Sequence, residues 1–235
     1  MYEEIVAKIE QDIDPERSER LGHFFGIAPG KYGDGDVYLG CRTPYLRKVA
    51  KSFKNADLAT IQRLLDSEVH DFRFAGFAIL AEKYAKSPDE IKDFYLTNLD
   101  RSNNWDLVDA FAWRILGQWC LDNKNERKLR ELSWSDKLWE KRTSIIAYQA
   151  FYRRGVLGDG LENIDWLLED SEDLIQKANG WMLREIYSRV AKPVVESYII
   201  DNYRRMPRTT LRYAIEKMPE SQRQSYLHGD FNEAN

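Results

Sequence analysis

The chain has 235 residues, a formal net charge of −4 and two cysteines, so it is long enough to bury a sizeable core and is neither a staple-dependent mini-protein nor a disulfide scaffold. Cys41 and Cys120 read as small buried hydrophobes in a reducing compartment. Net acidity argues against a wholesale nucleic-acid coat, and no stretch approaches the roughly 18 apolar residues of a membrane span, so a soluble, cytoplasmic, monomeric protein is expected.

The N-terminal segment MYEEIVAKIEQDIDPERSER is acidic and amphipathic, without the basic start and apolar run of a secretory signal. It leads into 26-GIAPGKYGDGDVYLG-40, the one Gly-rich region. This is not a phosphate-binding Walker loop, because Lys31 is followed by Tyr32 and the glycine spacing is wrong. It reads as a structural loop before a helix that starts near Thr43-Pro44, where Thr can cap and Pro suits the first turn. From there the apolar periodicity is helical nearly throughout and the prolines fall at junctions, which predicts an all-helical protein.

The segments 71-DFRFAGFAILAEKY-84, 105-WDLVDAFAWRILGQ-118, 139-WEKRTSIIAYQAFY-152 and 174-LIQKANGWMLREIY-187 align on apolar and small positions. In this register Ala75, Asp109, Thr143 and Ala178 are equivalent, and the next step reaches Tyr213 in 207-PRTTLRYAIEKMP-219. A helix pair repeated at this interval predicts a single domain over 1–235, an α-α superhelix (solenoid) of HEAT-like repeats. The preceding register position carries Phe74, Val108, Arg142, Lys177 and Arg212. Three successive cations in equivalent places form either a ladder along an inner surface, suited to a phosphate backbone, or a set of inter-repeat salt bridges. Basic character is local, as suits either a polyanion-binding groove on an acidic carrier or ordinary solvated helix faces: residues 121–154 hold nine Lys or Arg against five acids, and 184–212 hold seven against three.

Within the second repeat, Trp105, Val108, Asp109, Ala112, Ile115, Leu116 and Trp119 share one helical face. Asp109 therefore stands in an apolar stripe, where a carboxylate is costly unless partnered or functional. Trp105 precedes it by one turn, and Trp181 occupies the register position held by Ala78, Ala112 and Ile146. Structural alternatives are core packing for the indoles and an ion pair with Arg142 or Arg114 for the acid. Asn103 and Asn104 are expected to cap the helix. His23, His70 and His228 are dispersed, so no metal site is expected, and no Gly-x-Ser-x-Gly elbow or Cys-His arrangement appears.

NNWDLVD, Trp-Glu-Lys-Arg at 139–142, QKANGWMLRE at 176–185, the MPRTTLRYAIEKMPE tail and LGCRTPYLRK at 39–48 together resemble the AlkD-type DNA alkylation repair proteins, which are alkylpurine DNA glycosylases built from HEAT-like repeats. The resemblance implies a concave face that cradles duplex DNA carrying alkylated bases. It puts the catalytic aspartate at Asp109, the sugar-facing tryptophans at Trp105 and Trp181, and a DNA-contacting arginine at Arg142. Lys177, Arg184 and Arg212, with Arg42 and Lys141, are expected to hold phosphates. Asp173 and Leu174 stand where the family enzymes carry aromatic residues, and the Gly-rich loop is longer than theirs. The implied reaction is release of N3- or N7-alkylated purines in base excision repair, without a cofactor. The alternatives are a catalytically silent DNA-binding solenoid that recognises distorted or branched DNA, and a protein-protein scaffold.

Overall fold

Aspartate, asparagine and proline set many of the helix starts. Asp14 accepts the N–H of Arg17 at 2.9 Å, Asp57 that of Thr60 at 2.7 Å, and Asn104 that of Trp105 at 2.8 Å, each satisfying a donor that the first turn leaves open. The computed structural model describes residues 1–231. Its helices are α1 (Tyr2–Ile9), α2 (Pro15–Phe24), α3 (Thr43–Ser52), α4 (Leu58–Leu65), α5 (His70–Lys83), α6 (Pro88–Thr97), α7 (Trp105–Phe111) and α8 (Gln118–Asn123), then α9 (Arg127–Ser133), α10 (Leu138–Ala147), α11 (Gln149–Tyr152), α12 (Gly160–Trp166), α13 (Asp173–Arg189), α14 (Lys192–Asn202), α15 (Arg208–Ala214) and α16 (Glu220–His228). Among the described residues there is no strand, only an isolated bridge between Val37 and Val69. No described helix is long and apolar enough to cross a membrane.

The helices gather into two compact units that divide between Trp119 and Cys120. In the first, α5 is the centre: every side chain from His70 to Leu80 is buried, and it packs on α3, α4, α6 and α7. Its apolar residues suit such a place, and its polar His70, Asp71 and Arg73 are hydrogen-bonded there. In the second unit the repeat helices α10, α13 and α15 pack on one another in sequence, with α9 and α14 against them. The repeat register is visible in burial, since Ala75, Thr143 and Ala178 are fully inaccessible. Both cysteines are buried and neither is in a disulfide.

Local details differ from simple periodicity. After α7 the chain takes a π turn over Trp113–Gly117, with the Gly117 N–H donated to the Ala112 carbonyl at 2.9 Å. Such turns insert a residue into the helical ladder and recur at functional sites. The repeat helix at 139–152 breaks between Ala147 and Gln149. Thr43 opens α3 rather than capping it; Asp12 does that work from outside, accepting the Arg42 N–H at 2.8 Å.

The Gly-rich loop is pinned at its C-terminal end. His70 N–H is donated to the Val37 carbonyl at 2.8 Å, and the buried Asp71 carboxylate accepts the N–H groups of Leu39 and Cys41 at 2.8 and 3.0 Å. Ser18 of α2 holds the Tyr38 carbonyl at 2.6 Å. A side chain at Gly33 would place its Cβ 2.4 Å from the Phe25 carbonyl oxygen, so only glycine lets the loop fold back this tightly.

Candidate functional site

In the first unit, Asp109 sits at the margin of the buried stripe. Val108, Ala112, Ile115 and Leu116 are fully buried, whereas Trp105 and Asp109 are half-buried. The register position that buries Ala75 and Thr143 completely thus opens toward solvent in this repeat, and the carboxylate avoids the several kcal/mol, roughly, that full desolvation costs.

Trp105 is braced from behind. Its indole meets Phe24 edge-on at 5.3 Å and Phe25 at 5.1 Å between ring centroids. Phe25 stacks on Tyr38 at 5.0 Å with planes 3° apart, and Tyr38 stacks on His70 at 4.4 Å. Asn104 caps α7 and also donates from Nδ2 to the Tyr38 hydroxyl at 3.0 Å. Asn103 makes no cap; it donates to Asp36 at 2.9 Å and accepts from Arg73 at 3.0 Å.

Under this stack lies a buried ionic cluster. His70 Nε2 is 2.8 Å from Asp106 and Nδ1 is 3.4 Å from Asp36; Arg73 bonds Asp36 at 2.6 Å. Burial alone would lower the His70 pKa, but the Asp106 charge and hydrogen bond, then Asp36, outweigh it and raise it to about 9. Burial pushes Asp36 up, yet His70, Arg73 and Asn103 hold it below its ordinary value. Tyr38 is pushed up by burial and the nearby acids and stays protonated.

In the second unit, Trp181 is half-buried on α13 and donates Nε1–H to Glu185 at 3.3 Å. Glu185 is buried; burial raises its pKa, but Arg189 at 2.6 Å and the indole N–H more than offset this and keep it ionised. A Cβ on Gly180 would lie 2.4 Å from the Thr210 carbonyl oxygen, so the glycine before Trp181 is what lets α15 press against α13.

The cations assigned to DNA are mostly engaged within the chain. Arg142 is 5% exposed, and its guanidinium donates to the Leu174 carbonyl at the start of α13. Lys141 pairs with Asp170 at 2.6 Å, both largely buried. Lys177 pairs with Asp173 at 2.6 Å, Arg184 with Glu216 and Arg42 with Asp12. Arg212 is exposed, with no ion pair among the described residues. The Arg42 side chain is 62% accessible, so its guanidinium is open to exchange its carboxylate partner for a phosphate.

Sequence reasoning passed over a basic cleft of about 360 Å³ in the first unit, where Arg47, Lys48, Lys51 and Arg114 surround Ala78 and Phe111 with only Glu82 opposing them. The Arg47 guanidinium lies 5.5 Å over the ring of Phe74 and 5.9 Å over that of Phe111. It also passed over Asp36, Arg73, Asp106 and Glu185, and took His70 only as a dispersed histidine. The available signal was 70-HDFR-73, which puts His70 and Arg73 on one helical face. Among the described residues no group of His, Cys, Asp and Glu is arranged to hold a metal ion.

The model of the DNA alkylation repair enzyme family matches residues 5–218. Among solved structures, a protein described as a predicted DNA alkylation repair enzyme from Enterococcus faecalis is similar, with a TM-score of 0.68 and 15% identity over 89% of this chain and 98% of that one. At that identity the likeness is one of fold. No curated protein matches the chain in sequence.

Proposed function

We propose that this chain, which belongs to the DNA alkylation repair enzyme family, is a monofunctional DNA glycosylase that releases N3- or N7-alkylated purines from duplex DNA. The observation that carries the reading is Asp109, half-exposed one turn from a braced half-exposed indole, in a repeat position that Ala75, Thr143 and Ala178 fill as buried small residues.

The chemistry asks little of the protein. A purine alkylated at N3 or N7 is cationic and leaves as the neutral base when the C1′–N bond breaks, so no acid is needed to protonate it. The electron pair goes to the base and positive charge develops on the deoxyribose. Asp109 stabilises that charge and takes a proton from the water that closes on C1′. One carboxylate suffices, unlike the paired acids common in sugar hydrolases. Trp105 offers its ring to the cationic sugar, an attraction of roughly 0.5 to 2 kcal/mol. Trp181, its indole fixed by Glu185, is given the same task by the resemblance. Arg212, the exchangeable pairs of Arg42 and Lys177, and the Arg47–Lys51 cleft serve the phosphates; Arg142, Lys141 and Arg184 would reach DNA only by leaving their partners.

The test is release of 7-methylguanine or 3-methyladenine from methylated duplex DNA by the wild type and by Asp109→Asn. Release by the wild type and its loss in the variant is expected; equal rates sink the assigned role. Engagement of Arg142, Lys141 and Arg184 inside the chain favours a protein-protein scaffold as the second reading, which predicts no duplex affinity at low salt. Salt-dependent binding without base release would instead point to a silent DNA-binding protein.

A further inference from the structure

We propose that His70 is a positioning residue of the Asp109 site: as an imidazolium gripped by Asp36 and Asp106, it clasps the Gly-rich loop to the first turn of α7 and thereby fixes the indole of Trp105. The inference rests on the glycosylase reading only for its effect on base release; the clasp itself is a claim about the free protein.

The hydrogen-bond inventory dictates the charge. A carboxylate only accepts, and a neutral imidazole has one donor and one acceptor nitrogen. Here both ring nitrogens face carboxylate oxygens, Nε2 that of Asp106 and Nδ1 that of Asp36, so only the doubly protonated ring satisfies both. The groups that face the ring are Asp36 and the Tyr38 ring from the loop, Asp106 from α7 and Arg73 from its own helix. Two carboxylates and two cations leave the cluster neutral. The start of α5 is a poor place for a cation, since the helix dipole opposes it, which makes the acids on either side necessary rather than incidental. Asp106 depends on the clasp in turn, because its other oxygen is buried without a partner.

The mechanical link to the site is short. Rings follow one another from His70 through Tyr38 and Phe25 to Trp105, and Asn104, the residue before Trp105, ties the Tyr38 hydroxyl to the same turn. Removing the charge frees the loop edge, and with it the wall behind the indole. A raised pKa of about 9 means that the clasp is closed at neutral pH and opens as pH rises through that value.

The experiment follows the imidazole NMR signals of the free wild-type protein from pH 5 to 10, with His70 assigned by His70→Gln. One histidine is expected to titrate near pH 9, and Asp106→Asn to bring it down; a value at or below the ordinary 6.5 or so overturns the proposal. Should His70→Gln fail to fold, His23→Gln and His228→Gln identify the other two signals and leave that of His70 in the wild type by elimination. Acrylamide quenching of Trp105, taken as the difference between each protein and its Trp105→Phe counterpart, is expected to rise in Asp106→Asn and His70→Gln. Single-turnover release of 7-methylguanine is expected to fall roughly 10- to 100-fold in both, as misplacement of a catalytic group does, with duplex affinity within about twofold of wild type. Unchanged quenching and release in both folded variants overturns the positioning role. If the wild type releases no base, the glycosylase reading fails, while titration and quenching still decide the clasp.

Discussion

Arg142 separates two accounts of the same residue, one from the resemblance and one from the structure. Replacing it with Ala removes a guanidinium that is 5% exposed and donates to the Leu174 carbonyl, where α10 meets the start of α13. A hydrogen bond from a charged donor contributes roughly 1.5 to 3 kcal/mol, and loss of the packed aliphatic stem adds about 1 kcal/mol more, so Arg142→Ala should destabilise the protein by about 3 kcal/mol. Arg142→Met keeps the stem and should lose only the hydrogen-bond share. A residue this engaged has little left for a phosphate, so the slope of log affinity for duplex DNA against log salt should be that of wild type. Urea unfolding and fluorescence anisotropy at three salt concentrations read both quantities. A slope smaller by about 0.9 with stability unchanged would refute the structural role and return Arg142 to the DNA.

The basic cleft should behave in the opposite way: Arg47→Ala with Lys51→Ala should cut the salt slope by about two units, with a stability cost of roughly 0.5 to 2 kcal/mol from the lost contacts of Arg47 with Phe74 and Phe111. Asp109→Asn should lower single-turnover base release by roughly 100-fold or more, as loss of one preorganised electrostatic stabiliser does, without weakening DNA binding in anisotropy. Gly180→Ala should cost about 1 to 3 kcal/mol in urea unfolding, because its methyl meets the Thr210 carbonyl at 2.4 Å and backbone cannot give way cheaply; a more stable variant would refute the close approach. The His70 clasp raises a folded-state pKa from 6.5 to about 9, so its contribution to stability, at most roughly 3 kcal/mol, is complete below pH 6.5 and lost as pH climbs to about 9. Unfolding curves between pH 6 and 10 should show that loss in the wild type and not in His70→Gln.

What the sequence reveals and what it hides divide along a physical line. The repeat is legible because Ala75, Thr143 and Ala178 must be small where helices touch, and an acid breaking that series at Asp109 stands out without any structure. The same register places Arg142, Lys177 and Arg212 in a row but is silent on what lies opposite each one. In the fold the first meets a backbone carbonyl, the second an aspartate one turn back, and the third solvent. Periodicity reports which face a side chain leaves from and not what it arrives at. The His70 cluster is harder still, because its acids come from a loop at Asp36 and a helix start at Asp106, and neither spacing has a period. Loop 26–40 reads in sequence as no more than a structural loop for the same reason. Its work is done through ring contacts and one buried charge, so the indole that the motif NNWD announces is held by residues that the motif does not contain.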